Sequence, residues 1–112
     1  MCSKHCFFDR IFLGVGPDGH TASLFPGHDL MNSPKLCGVA QHPETGQNRI
    51  TMTPAAINKS KRITYHVIGE RKTGIVYKLV SDPAARNIYP ASQILGELFL
   101  DRAAASNLES PK

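Results

Sequence analysis

The sequence contains no tryptophan, only three cysteines and no apolar run long enough to cross a membrane. Its longest nearly uninterrupted apolar stretches are residues 6–8 and 11–15, whereas a membrane-spanning helix needs about 20 residues. This excludes a transmembrane helix. The first ten residues also lack the apolar segment and the small-residue cleavage site of a signal peptide, so we expect a reducing, cytoplasmic location.

The cysteines are too few and too scattered to form a disulfide framework. Cys2, Cys6 and Cys37 are therefore predicted to be free thiols. Together with His5, the first two could begin a zinc site, but no second Cys/His pair follows at zinc-finger spacing. We predict no metal ion.

The charge balance is only mildly basic, with 13 Lys and Arg against 9 Asp and Glu, a formal net charge of +4. This excess suits an anionic small molecule, because the sequence lacks the dense basic stripe and the aromatic platform of a nucleic-acid binder. The one basic cluster, Lys59, Lys61 and Arg62, is interpreted as the solvated end of a helix. An apolar content of 41% over 112 residues predicts one globular domain with a packed core.

Short apolar segments alternate with helix-like segments along the chain, which predicts an α/β fold with a mostly parallel sheet flanked by helices. The first apolar segment is typical of a strand covered on both faces. The segment 49–53 predicts a half-exposed strand with Ile50 and Met52 on one face. The predicted strands are residues 9–15, 36–40, 49–53, 63–68 and 97–100, and the predicted helices are 21–25, 54–61, 70–80 and 101–108.

Three glycines follow the first predicted strand, and Gly14, Gly16 and Gly19 formally match the dinucleotide-binding pattern GxGxxG. In a dinucleotide site this loop opens a long helix whose N-terminus meets the pyrophosphate. Here Pro26 ends any helix within about two turns of the loop. We therefore reject nucleotide binding.

The same loop, GPDGHTAS, places Asp18 and His20 two residues apart between glycines. A histidine in such a loop can act as a general base near neutral pH, and a neighbouring carboxylate can fix its tautomer. Alternatively, Asp18 is only a turn former and His20 only a polar loop residue. The residues alone leave both interpretations open.

Two basic residues could bind a phosphate. Lys72 lies in the first turn of the helix that follows Gly69, where its ammonium and the helix N–H groups could converge on one anion. Arg49 begins a predicted strand. On spacing alone, a solvated side chain is the favoured interpretation of each. A serine hydrolase is not indicated, because the sequence has no GxSxG motif.

The string LGVGPDGHTASLFPG, residues 13–27, resembles the signature of the 6-phosphogluconolactonases, the pentose-phosphate-pathway enzymes that open 6-phosphogluconolactone. The resemblance continues through RITMTPAAINKSKRI (49–63), VIGERK (67–72), PASQI and LDRAAA, and covers about residues 8–108. It implies a sheet like that of the glucosamine-6-phosphate deaminases and ribose-5-phosphate isomerases.

The resemblance also implies a hydrolase that needs neither metal nor cofactor. His20 would take a proton from water, the hydroxide would attack the lactone carbonyl C1, and His20 would return the proton to the departing ring oxygen. Asp18 would orient His20. These two residues are the catalytic residues that the resemblance implies.

The same resemblance implies a set of substrate-binding residues. Lys72 and Arg49 would hold the 6-phosphate of the lactone. Backbone amides of the loop that contains Gly14, Gly16 and Gly19 would stabilise the tetrahedral oxyanion.

Glucosamine-6-phosphate deaminases carry a similar loop with a glutamate immediately before the proline, where this sequence has Phe25 before Pro26. An apolar side chain cannot transfer protons but can wall off a sugar, which favours the lactonase. Two alternatives stay open: a deaminase-like enzyme, and a non-catalytic, truncated α/β module that binds sugar phosphates weakly.

Members of this family are roughly twice as long, at a typical enzyme-domain size. Their first half carries a glycine-rich phosphate loop and an Asp-Glu-Arg segment that this sequence lacks. We therefore expect residues 1–112 to form a single α/β domain, the C-terminal part of a longer lactonase domain. Half a sheet exposes an apolar edge and face, so we expect the chain to self-associate. The expected partner is a sugar-phosphate lactone, with neither nucleic acid nor membrane.

Overall fold

A computed structural model describes residues 7–27 and 29–108. The β-strands in these residues are Phe8–Leu13 (β1), Cys37–Gln41 (β2), Asn48–Met52 (β3), Ser60–Val67 (β4) and Glu97–Leu100 (β5). The α-helices are Pro54–Ile57 (α1), Thr73–Ser81 (α2) and Pro90–Gln93 (α3), and 3-10 helices cover Asp29–Asn32, Glu70–Lys72, Pro83–Asn87 and Ser106–Leu108. Within the described ranges, every helix is too short or too polar to cross a membrane. Cys2, His5 and Cys6 lie outside these ranges, whereas Cys37 carries the predicted free thiol.

The strands form a parallel sheet and a separate hairpin. In the parallel sheet, β4 lies between β1 and β5, and in the antiparallel hairpin β2 pairs with β3. The predicted α/β class with a mostly parallel sheet is therefore confirmed. Because β1 and β4 run parallel, with Leu13 opposite Tyr65, the loops that follow them leave the sheet at the same edge.

The core lies on one face of the parallel sheet. Tyr65 in β4 is buried there, and its hydroxyl donates a hydrogen bond of 2.6 Å to the carbonyl of Ile94. Burial raises the pKa of Tyr65 well above its usual value, so the phenol stays protonated as a donor. The buried residues of this cluster are Leu13, Val15, Leu24, Ile57, Tyr65, Val67, Ile75, Val76, Ala91, Ile94 and Ala104.

The opposite face of the sheet carries an exposed aromatic row. Phe12, His66 and Phe99, on β1, β4 and β5, have ring centroids 5.2 and 5.8 Å apart, and Phe12 is 58% exposed. The prediction that the first strand is covered on both faces is therefore wrong for the described residues, because Leu13 packs in the core on one face while Phe12 on the other face remains exposed.

Two predicted helices are shortened or replaced. Residues 21–25 form a tight turn in which Thr21 pairs with Leu24, with Ala22 at a φ of 51°, instead of a helix. Helix α1 begins at Pro54, where the Thr53 side chain accepts the N–H of Ala56 as an N-cap, but it ends at Ile57, and β4 begins at Ser60. The basic cluster is therefore not a helix end.

The basic cluster instead lies in β4 and in the turn that precedes it. Nη2 of Arg62 donates to both carboxylate oxygens of Glu97 on the adjacent strand, each at 2.9 Å. Lys61 lies 3.6 Å from the carboxylate of Asp9. Both pairs are exposed, so each contributes about 1 kcal/mol or less.

Strand β3 is half-buried as predicted, but on the other side. Ile50 is 81% exposed, whereas Thr51 is 4% exposed. The reason is a hydrogen bond of 3.0 Å from the backbone N–H of Ser23 to the hydroxyl oxygen of Thr51. This bond turns the polar side of the hairpin towards the loop that follows β1.

The predicted C-terminal helix over residues 101–108 is replaced by turns and the last 3-10 helix. Asp101 does cap this segment, since its carboxylate accepts the N–H of Ala104 at 2.8 Å. It also accepts the N–H of Gly69 at 3.1 Å. These backbone hydrogen bonds hold the pKa of Asp101 below its usual value. The carboxylate therefore ties the end of β4 to the turn after β5.

We predict that the aromatic row makes the chain self-associate, because contiguous exposed apolar surface is rare on monomers. Light scattering of a dilution series should give a mass above that of one chain, and the Phe12→Ser/Phe99→Ser variant should shift it towards the monomer. Ile50→Ser, which removes an exposed apolar side chain elsewhere, serves as the control. A wild-type chain that stays monomeric would contradict the prediction.

Candidate functional site

The loop after β1, residues 14–25, is closed by its own hydrogen bonds. The N–H of Gly16 donates to the carbonyl of His20 at 2.9 Å, and the N–H of Gly19 donates to the carbonyl of Gly16 at 2.9 Å. The buried hydroxyl of Thr21 donates to the carbonyl of Gly14 at 2.7 Å. We call residues 14–25 the glycine loop; its shape is fixed from within.

Asp18 and His20 form a pair within this loop. Nδ1 of His20 lies 2.5 Å from Oδ1 of Asp18, and the backbone N–H of His20 donates to the same oxygen at 3.2 Å. A carboxylate accepts hydrogen bonds, so the contact assigns the ring proton to Nδ1 and leaves Nε2 as the free nitrogen. The His20 side chain is 27% exposed, which keeps it accessible to a small ligand.

The electrostatics of the pair keep the carboxylate charged. Partial burial raises the pKa of Asp18, but the hydrogen bonds from the His20 ring and backbone, together with the charge of His20, outweigh it. The net pKa of Asp18 lies below its usual value. Asp18 is therefore ionised throughout the neutral range, where it can orient the imidazole and stabilise its protonated form.

Two of the three loop glycines are required by close approach. A Cβ at Gly16 would overlap Cε1 and Nδ1 of His20, and a Cβ at Gly19 would overlap the ring of Tyr89. Gly19 also has a φ of +86°, which side-chain-bearing residues rarely adopt. The N–H groups of Gly16 and Gly19 are both occupied by hydrogen bonds inside the loop. A Cβ at Gly14 would meet nothing within 4 Å.

Lys72 reaches the glycine loop from the segment that follows β4, the strand next to β1. It is the last residue of the 3-10 helix before α2, and its Nζ donates to the carbonyl of Val15 at 2.5 Å. The parallel pairing of β1 and β4 makes this contact possible, since it brings the two loops to one edge. The structure thus brings Lys72 to the loop that carries Asp18 and His20.

Arg49 lies on β3, on the same side of the strand as Thr51, two residues away. Its guanidinium Nε donates to the side-chain oxygen of Gln47 at 3.2 Å. Among the described residues, Gln47 is the one side-chain hydrogen-bond partner of Arg49. The structure therefore places Arg49 on the hairpin beside the loop without joining it to Asp18, His20 or Lys72.

Three neighbouring rings, those of His20, Phe25 and His42, extend the site towards the hairpin, and sequence reasoning missed His42. Phe25 is 3% exposed, and its ring centroid lies 4.9 Å from that of His20 and 5.3 Å from that of His42. His42 directly follows β2. No local pattern marks it, because its position beside Phe25 depends on how the hairpin docks on the glycine loop.

Residues 2–100 match the profile of a family described as glucosamine-6-phosphate isomerases/6-phosphogluconolactonase. The chain belongs to this family. The 6-phosphogluconolactonase of Haemophilus influenzae is 46% identical over 102 residues, which cover 87% of this chain and 44% of that protein. The resemblance carried by the glycine loop is thereby confirmed.

Solved structures give the same result for the fold of this family member. A crystal structure of a devB protein has a TM-score of 0.85 at 43% identity and covers 90% of this chain and 44% of that one. The 6-phosphogluconolactonase of Trypanosoma brucei gives 0.69 at 30% identity, with 90% and 42% covered. The chain thus spans less than half the length of these relatives.

We predict that Gly16→Ala pushes the His20 ring away from Asp18, because the added methyl group would occupy the space of the imidazole. Overpacking of this kind costs about 1–3 kcal/mol. The side-chain nitrogen resonances of His20 in an NMR spectrum should shift, and the melting temperature should fall. Gly74→Ala, where a Cβ meets nothing within 4 Å, is the matched control. Unchanged His20 resonances in Gly16→Ala would refute the steric account of the loop.

Proposed function

We propose that this chain carries the catalytic part of a 6-phosphogluconolactonase, a hydrolase that converts 6-phospho-D-glucono-1,5-lactone to 6-phosphogluconate in the pentose phosphate pathway. One observation carries the proposal. In a chain of this family, the structure pairs His20 with an ionised Asp18 in a closed loop and leaves Nε2 of the imidazole free. A partly exposed imidazole held in one tautomer by a carboxylate is suited to move a proton.

In the proposed reaction, Nε2 of His20 takes a proton from a water molecule, and the resulting hydroxide attacks C1 of the lactone. The C=O electrons move onto the carbonyl oxygen to form a tetrahedral oxyanion. When the C=O bond reforms, the bond between C1 and the ring oxygen breaks, and His20 returns its proton to that oxygen. One water is consumed, and the open-chain acid is released.

Asp18 acts as a positioning residue in this scheme. Its carboxylate holds the Nδ1 proton of His20, which directs Nε2 towards the water, and its negative charge stabilises the imidazolium that forms during the reaction. The low pKa of Asp18 ensures that this charge is present at neutral pH.

Lys72 is the proposed phosphate ligand. A lysine ammonium has three N–H donors, and Val15 accepts one of them, so two remain for phosphate oxygens. Arg49 is proposed as a second phosphate ligand, which requires its guanidinium to swing away from Gln47. We propose that the loop backbone at Gly14, Gly16 and Gly19 lies against the substrate. The N–H groups of Gly16 and Gly19 already donate hydrogen bonds inside the loop.

A deaminase-like enzyme is the second candidate, but Phe25 argues against it. The ring of Phe25 lies buried between His20 and His42, at the position before the proline, and offers no group that moves a proton. A non-catalytic module would not need an accessible imidazole paired with a carboxylate.

We place the protein in the cytoplasm, consistent with the exposed free thiol of Cys37, as one domain that acts on a sugar-phosphate lactone.

The test is hydrolysis of 6-phosphogluconolactone by the purified chain, measured against the spontaneous rate. We expect His20→Ala to lower the rate by about 100-fold or more, which is typical for loss of a general base. His66→Ala, which removes a histidine on the aromatic row, should keep the activity of the parent chain. If His20→Ala and the parent chain hydrolyse the lactone at the same rate above background, His20 is not the base.

The pH profile gives a separate prediction. The base must be neutral to accept a proton, so kcat/KM should fall between neutral and mildly acidic pH. Asp18 does not produce this fall. Its pKa is lowered, so its carboxylate stays charged until the pH drops below the usual pKa of an aspartate. A flat profile between mildly acidic and neutral pH would contradict the role of His20.

A further inference from the structure

His42 is held in one orientation by the turn that follows β2. Its Nδ1 accepts hydrogen bonds from the backbone N–H groups of Glu44 at 3.1 Å and Thr45 at 3.2 Å. A ring nitrogen that accepts two N–H groups carries no proton, so the proton of the imidazole is on Nε2. The turn therefore presents Nε2–H as a fixed donor.

The position of His42 relates it to the glycine loop. Phe25 lies buried between the imidazoles of His42 and His20, with ring contacts of 5.3 and 4.9 Å, so the two imidazole centroids are within about 10 Å of each other. The hydrogen bond from Ser23 to Thr51 docks the hairpin on the loop and keeps this spacing. A six-carbon sugar can bridge such a distance.

We propose that His42 is a substrate-binding residue, whose Nε2–H donates a hydrogen bond to a hydroxyl oxygen of the sugar while C1 lies at His20. The inference rests on the proposed function and extends it, because it assigns a specificity role to a residue outside the loop. The two imidazoles then have opposite tautomers and opposite tasks. His20 offers an unprotonated Nε2 that accepts a proton, and His42 offers a protonated Nε2 that donates a hydrogen bond.

The competing explanation is that His42 only caps its turn. Two substitutions separate the roles. In His42→Asn the amide oxygen can replace Nδ1 as acceptor for the N–H groups of Glu44 and Thr45, but the Nε2–H donor is lost. In His42→Gln the amide nitrogen can reach the place of Nε2 as a donor, but the turn loses its acceptor.

We expect His42→Asn to melt at the parent temperature while its KM for the lactone rises about tenfold, as loss of one hydrogen bond to the substrate predicts. Its kcat should change less than KM, since a bond to a remote hydroxyl is made equally in the ground and transition states. His42→Gln should melt lower but keep a KM closer to that of the parent. A His42→Asn chain with the parent KM would overturn the inference.

Binding of the product, 6-phosphogluconate, measured by calorimetry provides a readout besides turnover. His42→Asn should bind it about tenfold more weakly than the parent chain does. If the parent chain hydrolyses the lactone and binds the product, but His42→Asn does both equally well, the His42 inference alone is wrong. If the parent chain neither hydrolyses nor binds, the proposed function is wrong, and the inference falls with it.

Discussion

The parallel pairing of β1 with β4 is the constraint on which the candidate site depends. Leu13 and Tyr65 lie opposite each other in this pair, so the chain segments that follow them leave the sheet side by side. The contact between Lys72 and the carbonyl of Val15 is a direct consequence of that register. A shift by one residue would reverse the faces of β1 and remove Leu13 from the core.

The second constraint is the small size of the glycines inside the loop. The backbone at Gly16 runs where any side chain would displace His20, and the backbone at Gly19 takes a positive φ against Tyr89. The loop therefore reaches its shape without side chains at these two positions, and the space beside them is occupied by His20 at Gly16 and by the ring of Tyr89 at Gly19. The backbone of the loop thus holds the Asp18–His20 pair in place without a bound ligand.

Local sequence signals predicted those parts of the fold that depend on local chemistry. The glycines, Asp18 and His20 are adjacent in sequence, and β5 has the predicted bounds, residues 97–100. Local sequence signals did not predict the features that contacts between distant residues determine. The hydroxyl oxygen of Thr51 accepts a hydrogen bond from the N–H of Ser23, which holds the Thr51 side of β3 against the loop after β1. The carboxylate of Asp101 accepts the N–H groups of both Gly69 and Ala104. The position of His42 beside Phe25 likewise depends on how the hairpin docks on the glycine loop, which no local residue pattern predicts.

We propose that the glycine loop and the segment before α2 form one site for a sugar phosphate. Backbone amide shifts recorded while 6-phosphogluconate is added to the isotope-labelled chain test it most directly. If the two segments form one site, the shifts will be saturable and will concentrate in residues 14–20 and 69–73. Shifts confined to the cavity of about 680 Å³ beside Ser60, Arg62 and Gln93 at the other end of β4, or no shifts at any concentration, would contradict it.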